Sequence, residues 1–303
     1  MSQPISRSAG AGIAYMLLGV VLLPVMNAIA KSLAAEYPVT QVVWARFLGH
    51  LVWMSLLFGP FLGAALLRAH RPREMIGRSL VFFASNFLFI AALPRVQLAT
   101  ASAIMFTTPL VVVALSAPLL KERVGPWRSA AVVVGFCGAL VIIRPGTDVF
   151  QPATLLTLLS AMCFAGYQLW TRRLAQHERP ETLIVYTALA GAVIMSVVAP
   201  FGARFPDDIA DGLKFAGVGL LGGAAQYFII CALQRAPASV VSPIGYAELI
   251  TAAAFGYAVF GDIPDRYTWL GAALIVGSGL IVVWRERARR KERGQAAAPT
   301  DEG

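Results

Sequence analysis

FASNFLFIAALPRV at 83–96 returns, without a gap, as GAAQYFIICALQRA at 223–236. Ala84 and Ala224, Ile90 and Ile230, Ala92 and Ala232, Leu93 and Leu233, and Arg95 and Arg235 are identical across the pair. The same offset of 140 continues through Ser102/Ser242, Ile104/Ile244, Ala114/Ala254 and Leu140/Leu280, and it sets Glu122 opposite Asp262 and Trp127 opposite Tyr267. An offset of 141 relates the earlier parts of the two halves, with Lys31 on Arg172, Leu33 on Leu174 and Ala34 on Ala175. The chain is a duplication, and the character of its unit decides the fold.

That unit is a set of apolar blocks. Of 303 residues, 58% are hydrophobic and 14% charged, against roughly 45–50% and about 25% in soluble domains. A soluble core has no room for such a surplus. The blocks run to roughly 18–24 residues with few interior charges, enough to cross about 30 Å of hydrocarbon at 1.5 Å per residue. The expected spans are 11–33, 39–61, 79–95, 98–120, 126–143, 152–172, 181–203, 212–234, 237–260 and 266–284. Their continuous apolar character excludes the alternating strands of a membrane barrel. The first block is long enough to remain as an uncleaved anchor and has no small-residue cleavage site behind it.

The expected fold is therefore all-α, with ten transmembrane helices as two five-helix repeats at 11–145 and 152–285. A short N-terminus (1–10) precedes them, and a basic tail (286–303) reads as disordered. Because five is odd, the second copy enters the membrane from the opposite side, an inverted repeat of the kind that recurs in secondary transporters. Exchanging the conformations of two similar halves turns an inward-open form into an outward-open one around a fixed midplane site.

The net charge of +9 does not signal a nucleic-acid partner, because the basic residues are spread over short loops and a tail. With a cytoplasmic N-terminus, eighteen Lys/Arg fall inside: Arg7, the group from Arg68 to Arg78, Lys121, Arg123, Arg128, Arg172, Arg173, Arg179, Arg235 and the six from Arg285 to Arg293. Six fall outside: Lys31, Arg95, Arg144, Arg204, Lys214 and Arg266. That bias expects both termini in the cytoplasm and an inner-membrane location.

ASNFLFIAAL (84–93), then ATASAIMFTTPLVVVALSAPLLKERVGPWRSAAVVVGFCGALVIIRPG (99–146), resembles the EamA-type repeat of the drug/metabolite transporter superfamily. SVVSPIGYAELITAAAFGYAVFGDIPDRYTWLGAALIVGSGLIV (239–282) resembles its second copy. The resemblance covers about residues 11–285 and rests on the Pro109-to-Glu122 spacing and the glycine-rich helix that follows. The second half departs from the pattern with Leu249 where the first has Pro109. YAEL followed by FGDIPDRYTWLGA looks closest to the branch of riboflavin and S-adenosylmethionine importers, although amino-acid and metallophore exporters share the fold. The resemblance implies a small-metabolite transporter.

Other motifs add no chemistry. Gly217-Val-Gly-Leu-Leu-Gly222 spells the dinucleotide fingerprint, but it lies in an apolar run, follows no strand and lacks the distal acid. With Gly219 and Gly223 at GxxxG spacing it reads as a helix-packing face, as do Gly135 and Gly138, and Gly271, Gly277 and Gly279. Cys137, Cys163 and Cys231 read as packing residues, and His50, His70 and His177 are isolated. No phosphate loop, metal-ligand set or catalytic triad is present, so no enzyme, cofactor or bound metal is expected.

Function is read instead from ionisable residues inside spans, each of which costs about 2.5–3.5 kcal/mol near the bilayer centre. Arg46 and Glu248 are two of these, and from the expected helix ends their depths differ by roughly 3 Å. They either pair with each other or divide a zwitterionic substrate between them. Neither is matched in the other half, since Glu248 falls opposite Thr108 and Arg46 near Thr187. Two amide pairs are matched, Asn27 with Gln168 and Asn86 with Gln226.

Tyr167, Trp170, Tyr227 and Tyr246 lie beside the amides as candidates for stacking on a flat ring, with ordinary packing the commoner role for any one of them, and Tyr246 is counted with the site residues. On a straight ninth helix Ser239, Ser242 and Tyr246 share one face and Glu248 and Thr251 the other, with Pro243 able to reorient the turn. The expected partners are a small metabolite and the lipid bilayer, with protons as coupling ion and a homodimer as assembly left open.

Overall fold

The computed structural model describes residues 8–120, 126–147, 150–174, 177–236, 241 and 244–296. Every regular element among them is helical. In chain order these are α1 (Ser8–Glu36), α2 (Val39–Leu62), α3 (Pro72–Ala92), α4 (Leu98–Met105), α5 (Thr108–Leu120), α6 (Pro126–Ile143), α7 (Ala153–Leu174), α8 (Pro180–Val198), α9 (Ile209–Arg235), α10 (Ala247–Phe260) and α11 (Arg266–Ala296). Short 3-10 turns lie at Gly63–Leu67, Leu93–Arg95 and Ala199–Phe201.

Local chemistry sets the ends. α3, α6 and α8 each begin on a proline, whose missing N–H costs nothing at the first helical position. α9 begins after Asp208, whose carboxylate accepts from the Asp211 N–H at 2.7 Å. α10 stops at Gly261, which takes the left-handed cap conformation at φ 69°.

Among the described residues, seven stretches are long and apolar enough to cross a bilayer: Gly10–Glu36, Val39–Phe61, Pro72–Arg95, Leu98–Leu115, Ala153–Thr171, Glu181–Phe201 and Ile209–Leu233. Shorter apolar helices lie at Ser129–Ile143, Ala247–Phe260 and Arg266–Val282. Leu56, Val133, Val193, Val197, Ile250 and Leu270 are exposed, while Asn27, Ser85, Asn86, Thr157 and Ser160 are buried. The bundle is apolar outside and holds polar groups within, as a lipid solvent requires.

Packing follows a regular scheme. α1 lies on α9 and α3 on α7; α2 meets both α8 and α9, and α8 meets α3; α6 lies on α11. α1 also packs on α10, α7 on α4 and α5, and α4 on α10. At the end of the bundle where α1 finishes, Lys31 pairs with Asp262 and Arg144 with Asp265. At that end, too, the Tyr37 hydroxyl donates to the Asp211 carboxylate at 2.7 Å. That bond pushes the phenol up to about 12.

Five features differ from the sequence expectation. The span expected at 98–120 is two helices, because the chain breaks at Phe106–Thr107 just before Pro109. The threonine hydroxyls donate to carbonyls at the break, Thr107 to Ile104 at 2.7 Å and Thr108 to Met105 at 2.6 Å. The ninth span likewise breaks at a turn at Tyr246, the position 140 residues beyond Phe106, between helical Ile244 and Gly245 and the start of α10 at Ala247.

α3 starts at Pro72, so Arg78 belongs to the helix and is fully buried, where hydropathy had put it in a loop. α11 runs to Ala296, because the Arg-, Lys- and Glu-rich continuation of the last span is itself a good helix former. Among the glycines, Gly277 has open space beside it and packs against nothing. Arg7, Lys121, Glu122, Arg123, Ser239, Ser242 and Pro243 lie outside the described residues.

Candidate functional site

A cavity of about 270 Å³ sits where the two halves meet. α1 contributes Leu23 and Asn27, α2 Arg46, and α3 Phe82, Ser85, Asn86 and Phe89. The break between α4 and α5 contributes Ser102, Met105, Phe106, Thr108 and Pro109. From the second half come Ser160, Phe164 and Gln168 of α7, Gln226 of α9 and Glu248 of α10. Six of the seven residues expected at the site therefore share one cavity.

The two charges do not neutralise each other. The Arg46 guanidinium donates to Met26 Sδ at 3.1 Å, and among the described residues it makes no ion pair. The Glu248 side chain has no hydrogen bond or ion pair there either; the neighbouring Thr251 hydroxyl reaches only backbone carbonyls, of Glu248 at 3.0 Å and of Val20 in α1 at 3.1 Å. A mutual ion pair, one of the two arrangements expected, is thus not formed in this conformation. Of the two faces of the expected ninth helix, Glu248 lines the cavity and Tyr246 does not, while Ser239 and Ser242 lie outside the described residues.

The amides are similarly open. Asn86 Nδ2 donates to the Phe82 carbonyl at 3.2 Å, and among the described residues its oxygen accepts no hydrogen bond. Asn27, Gln168 and Gln226 make no side-chain hydrogen bond among the described residues, although all line the cavity. The Ser102 hydroxyl, also at the wall, is buried without a partner. The floor is firmly joined instead: Ser85 and Ser160 each donate to the other's carbonyl, at 2.9 and 2.7 Å, tying α3 to α7. Unused donors and acceptors in a low-dielectric cavity favour a ligand that supplies the missing bonds.

The expected stacking residues lie elsewhere. Tyr246 is not in the wall; its ring packs on Phe106 at 5.1 Å, and its hydroxyl sits against Gly279 of α11. Tyr167 packs on Phe82 at 4.7 Å, Trp170 on Gly77 and Tyr227 against Phe58. The rings facing the cavity are Phe82, Phe89, Phe106 and Phe164. Helical spacing was the available signal, with Phe82, Asn86 and Phe89 on one stripe of α3, and Phe164 and Gln168 on one of α7.

Arg78 is the charge that sequence reasoning missed. Its guanidinium donates to Thr171 at 2.9 Å, to Thr187 at 2.7 Å and to the Leu183 carbonyl, and it lies 4.9 Å over the Tyr167 ring. It joins α3, α7 and α8 one turn below Phe82, with no carboxylate partner among the described residues.

The glycine stretch of α9 packs, as its lack of strand context implied. A Cβ on Gly219 would stand 2.5 Å from Gly49 Cα, so α2 and α9 touch backbone to backbone. The EamA-like transporter family matches residues 10–144 and 151–284, one copy on each half. The chain belongs to that family.

Relatives of this EamA-like transporter span nearly its whole length. A riboflavin transporter of Rhizobium johnstonii is 31% identical over 290 residues, covering 93% of each chain. One of Vibrio cholerae is 30% identical, covering 94% of this chain and 97% of its own. An S-adenosylmethionine uptake transporter of Rickettsia felis is 27% identical over 279 residues, covering 91% and 93%. A solved crystal structure of a 22% identical protein superposes with a TM-score of 0.64 over 93% of this chain and 98% of its own, which shows a shared fold. The protein is a multi-pass membrane transporter of small metabolites.

Proposed function

We propose that the chain carries a small polar or amphipathic metabolite, of the riboflavin or S-adenosylmethionine kind, across the inner membrane by alternating access. The carrying observation is that Arg46 and Glu248 line one cavity, unpaired, among amides with unused hydrogen-bonding groups. An uncompensated guanidinium and carboxylate in a membrane core persist where a substrate or ion completes them. Arg46 takes an anionic or carbonyl group, Glu248 a cationic or N–H group, and Asn27, Asn86, Gln168 and Gln226 the heteroatoms between. The phenylalanine rings hold the apolar part.

The ten-helix inverted repeat belongs to the same reading. With α4 and α5 taken as one broken helix, and α10 as the end of another, exchanging the two halves maps each principal packing pair onto a second one or itself. α1 on α9 becomes α7 on α3, α2 on α9 becomes α8 on α3, and α6 on α11 is its own image. The two breaks, 140 residues apart, fall beside the cavity. Discontinuous helices meeting at a central site are a mark of secondary transporters. With both termini cytoplasmic, Lys31–Asp262 and Arg144–Asp265 close the outer end in this conformation.

Glu248 is the carboxylate through which a proton gradient would act. Uptake of radiolabelled riboflavin and S-adenosylmethionine into liposomes holding the purified protein tests the function. Accumulation of either above empty liposomes supports it, and accumulation of neither refutes the substrate class. If protons couple, Glu248→Gln abolishes pH-driven uptake and spares substrate exchange; equal loss of both makes Glu248 a binding group only.

A further inference from the structure

Below Arg46 on the same stripe of α2 come His50 and Trp53, and both hold a buried polar atom with no partner. His50 is 7% exposed, and among the described residues neither its Nε2 nor the Trp53 Nε1 has a hydrogen-bond partner. The two rings lie over Gly223 of α9: a Cβ there would stand 2.7 Å from Trp53 Cδ1 and 3.4 Å from His50 Cδ2. One turn away the same helices touch at Gly49 and Gly219. A second cavity of about 140 Å³ follows, lined by Phe58 of α2 and by Tyr227, Ile230 and Arg235 of α9, among others. Along α2, His50 and Trp53 thus lie between Arg46 in the first cavity and Phe58 in the second.

A buried polar group without a partner is destabilising, and two in succession along one helix seam mark groups used in another conformation. Small residues let the two backbones lie in direct contact at Gly49 and Gly219, so His50 and Trp53, which cover Gly223, are the side chains that a separation of the two helices uncovers. We propose that α2 and α9 part here in the alternate state, and that the His50 ring nitrogen and the Trp53 N–H then line the metabolite's path between the two cavities. The indole is a donor only, so this stretch of the path takes an acceptor on the metabolite: a carbonyl, ring nitrogen or carboxylate oxygen. The inference rests on the transport reading above.

Its test does not need the substrate. In a chain with Cys137, Cys163 and Cys231 replaced by alanine, His50→Cys should react with a water-soluble methanethiosulfonate reagent in membranes. The rate should lie within about tenfold of Gln226→Cys in the cavity wall, the span that one hydrogen bond's worth of opening free energy covers. Phe47→Cys, on the same helix but turned toward Gly191 of α8 and fully buried, should stay unreacted. His50→Cys as inert as Phe47→Cys, with Gln226→Cys reacting or not, overturns the proposal. Labelling without uptake of riboflavin or S-adenosylmethionine leaves the path standing and refutes only the substrate class.

Two further variants separate use from structure. His50→Phe and Trp53→Phe remove the orphaned atoms, so thermal stability should hold or rise while KM for riboflavin uptake rises about tenfold. Lower stability with unchanged KM makes both residues structural and overturns the proposal.

Discussion

Gly217, Gly219, Gly222 and Gly223 lie within two turns of α9, and their surroundings dictate opposite responses to one added methyl group. On Gly219 a Cβ would stand 2.5 Å from Gly49 Cα and 2.8 Å from the Ala45 carbonyl oxygen. On Gly217 or Gly222 it would find its nearest neighbour at 3.9 Å. Carbon atoms rest at about 3.5–4.0 Å, so Gly219→Ala must push α2 and α9 about 1 Å apart, and the obstacle is backbone that cannot rotate away. Overpacking of this kind costs roughly 1–3 kcal/mol, against a gain of about 0.8–1.0 kcal/mol in helix propensity. At Gly217 and Gly222 only the gain applies.

Thermal unfolding of the detergent-purified protein should place Gly219→Ala below wild type, and Gly217→Ala and Gly222→Ala at or above it. Gly223→Ala meets the Trp53 side chain at 2.7 Å, which can shift, and should fall between. Gly49→Ala with Gly219→Ala should differ from the sum of the singles, since both methyls claim one space. Equal melting of Gly219→Ala and Gly217→Ala would refute the backbone contact between α2 and α9.

The Lys31–Asp262 pair is partly buried, with side chains 11% and 24% exposed, and the Lys31 ammonium lies 4.5 Å over the Phe260 ring. Lys31→Met and Asp262→Asn should each destabilise by roughly 1–3 kcal/mol, and the double variant by less than their sum, in a thermal double-mutant cycle; additive losses would show that the pair contributes nothing. A C-terminal reporter active only in the periplasm should stay silent, whereas activity there reverses the orientation drawn from the arginines.

The helical membrane fold was legible because the bilayer allows few solutions: long apolar blocks in a chain this poor in charge have to be spans. The amides Asn27, Asn86, Gln168 and Gln226 were legible because duplication sets matching positions in matching surroundings, and all four reached the cavity. Phe82, Phe89, Phe106 and Phe164 were not, since phenylalanine is at home in a span whether it faces lipid, core or ligand. Tyr246 was misjudged because its phenol looked like a ligand contact, and the helix break turns it toward Gly279. Arg78 escaped because hydropathy begins the third span at 79, whereas Pro72 starts the helix about two turns earlier. The break at Phe106–Thr107 leaves no trace in composition, because Pro109 suits the first turn of a new helix as well as a kink in an old one.

The central claim is that Arg46 and Glu248 together bind the transported metabolite in one cavity. The most direct measurement is uptake and ligand-induced thermal stabilisation for Arg46→Met/Glu248→Met, with riboflavin and S-adenosylmethionine as probes. Both charges leave together, so the double variant should fold at least as well as wild type. It should transport neither probe, and neither should raise its melting temperature, although binding to the native state does so for wild type. A stable double variant that transports at the wild-type rate would contradict the claim and remove both residues from the site.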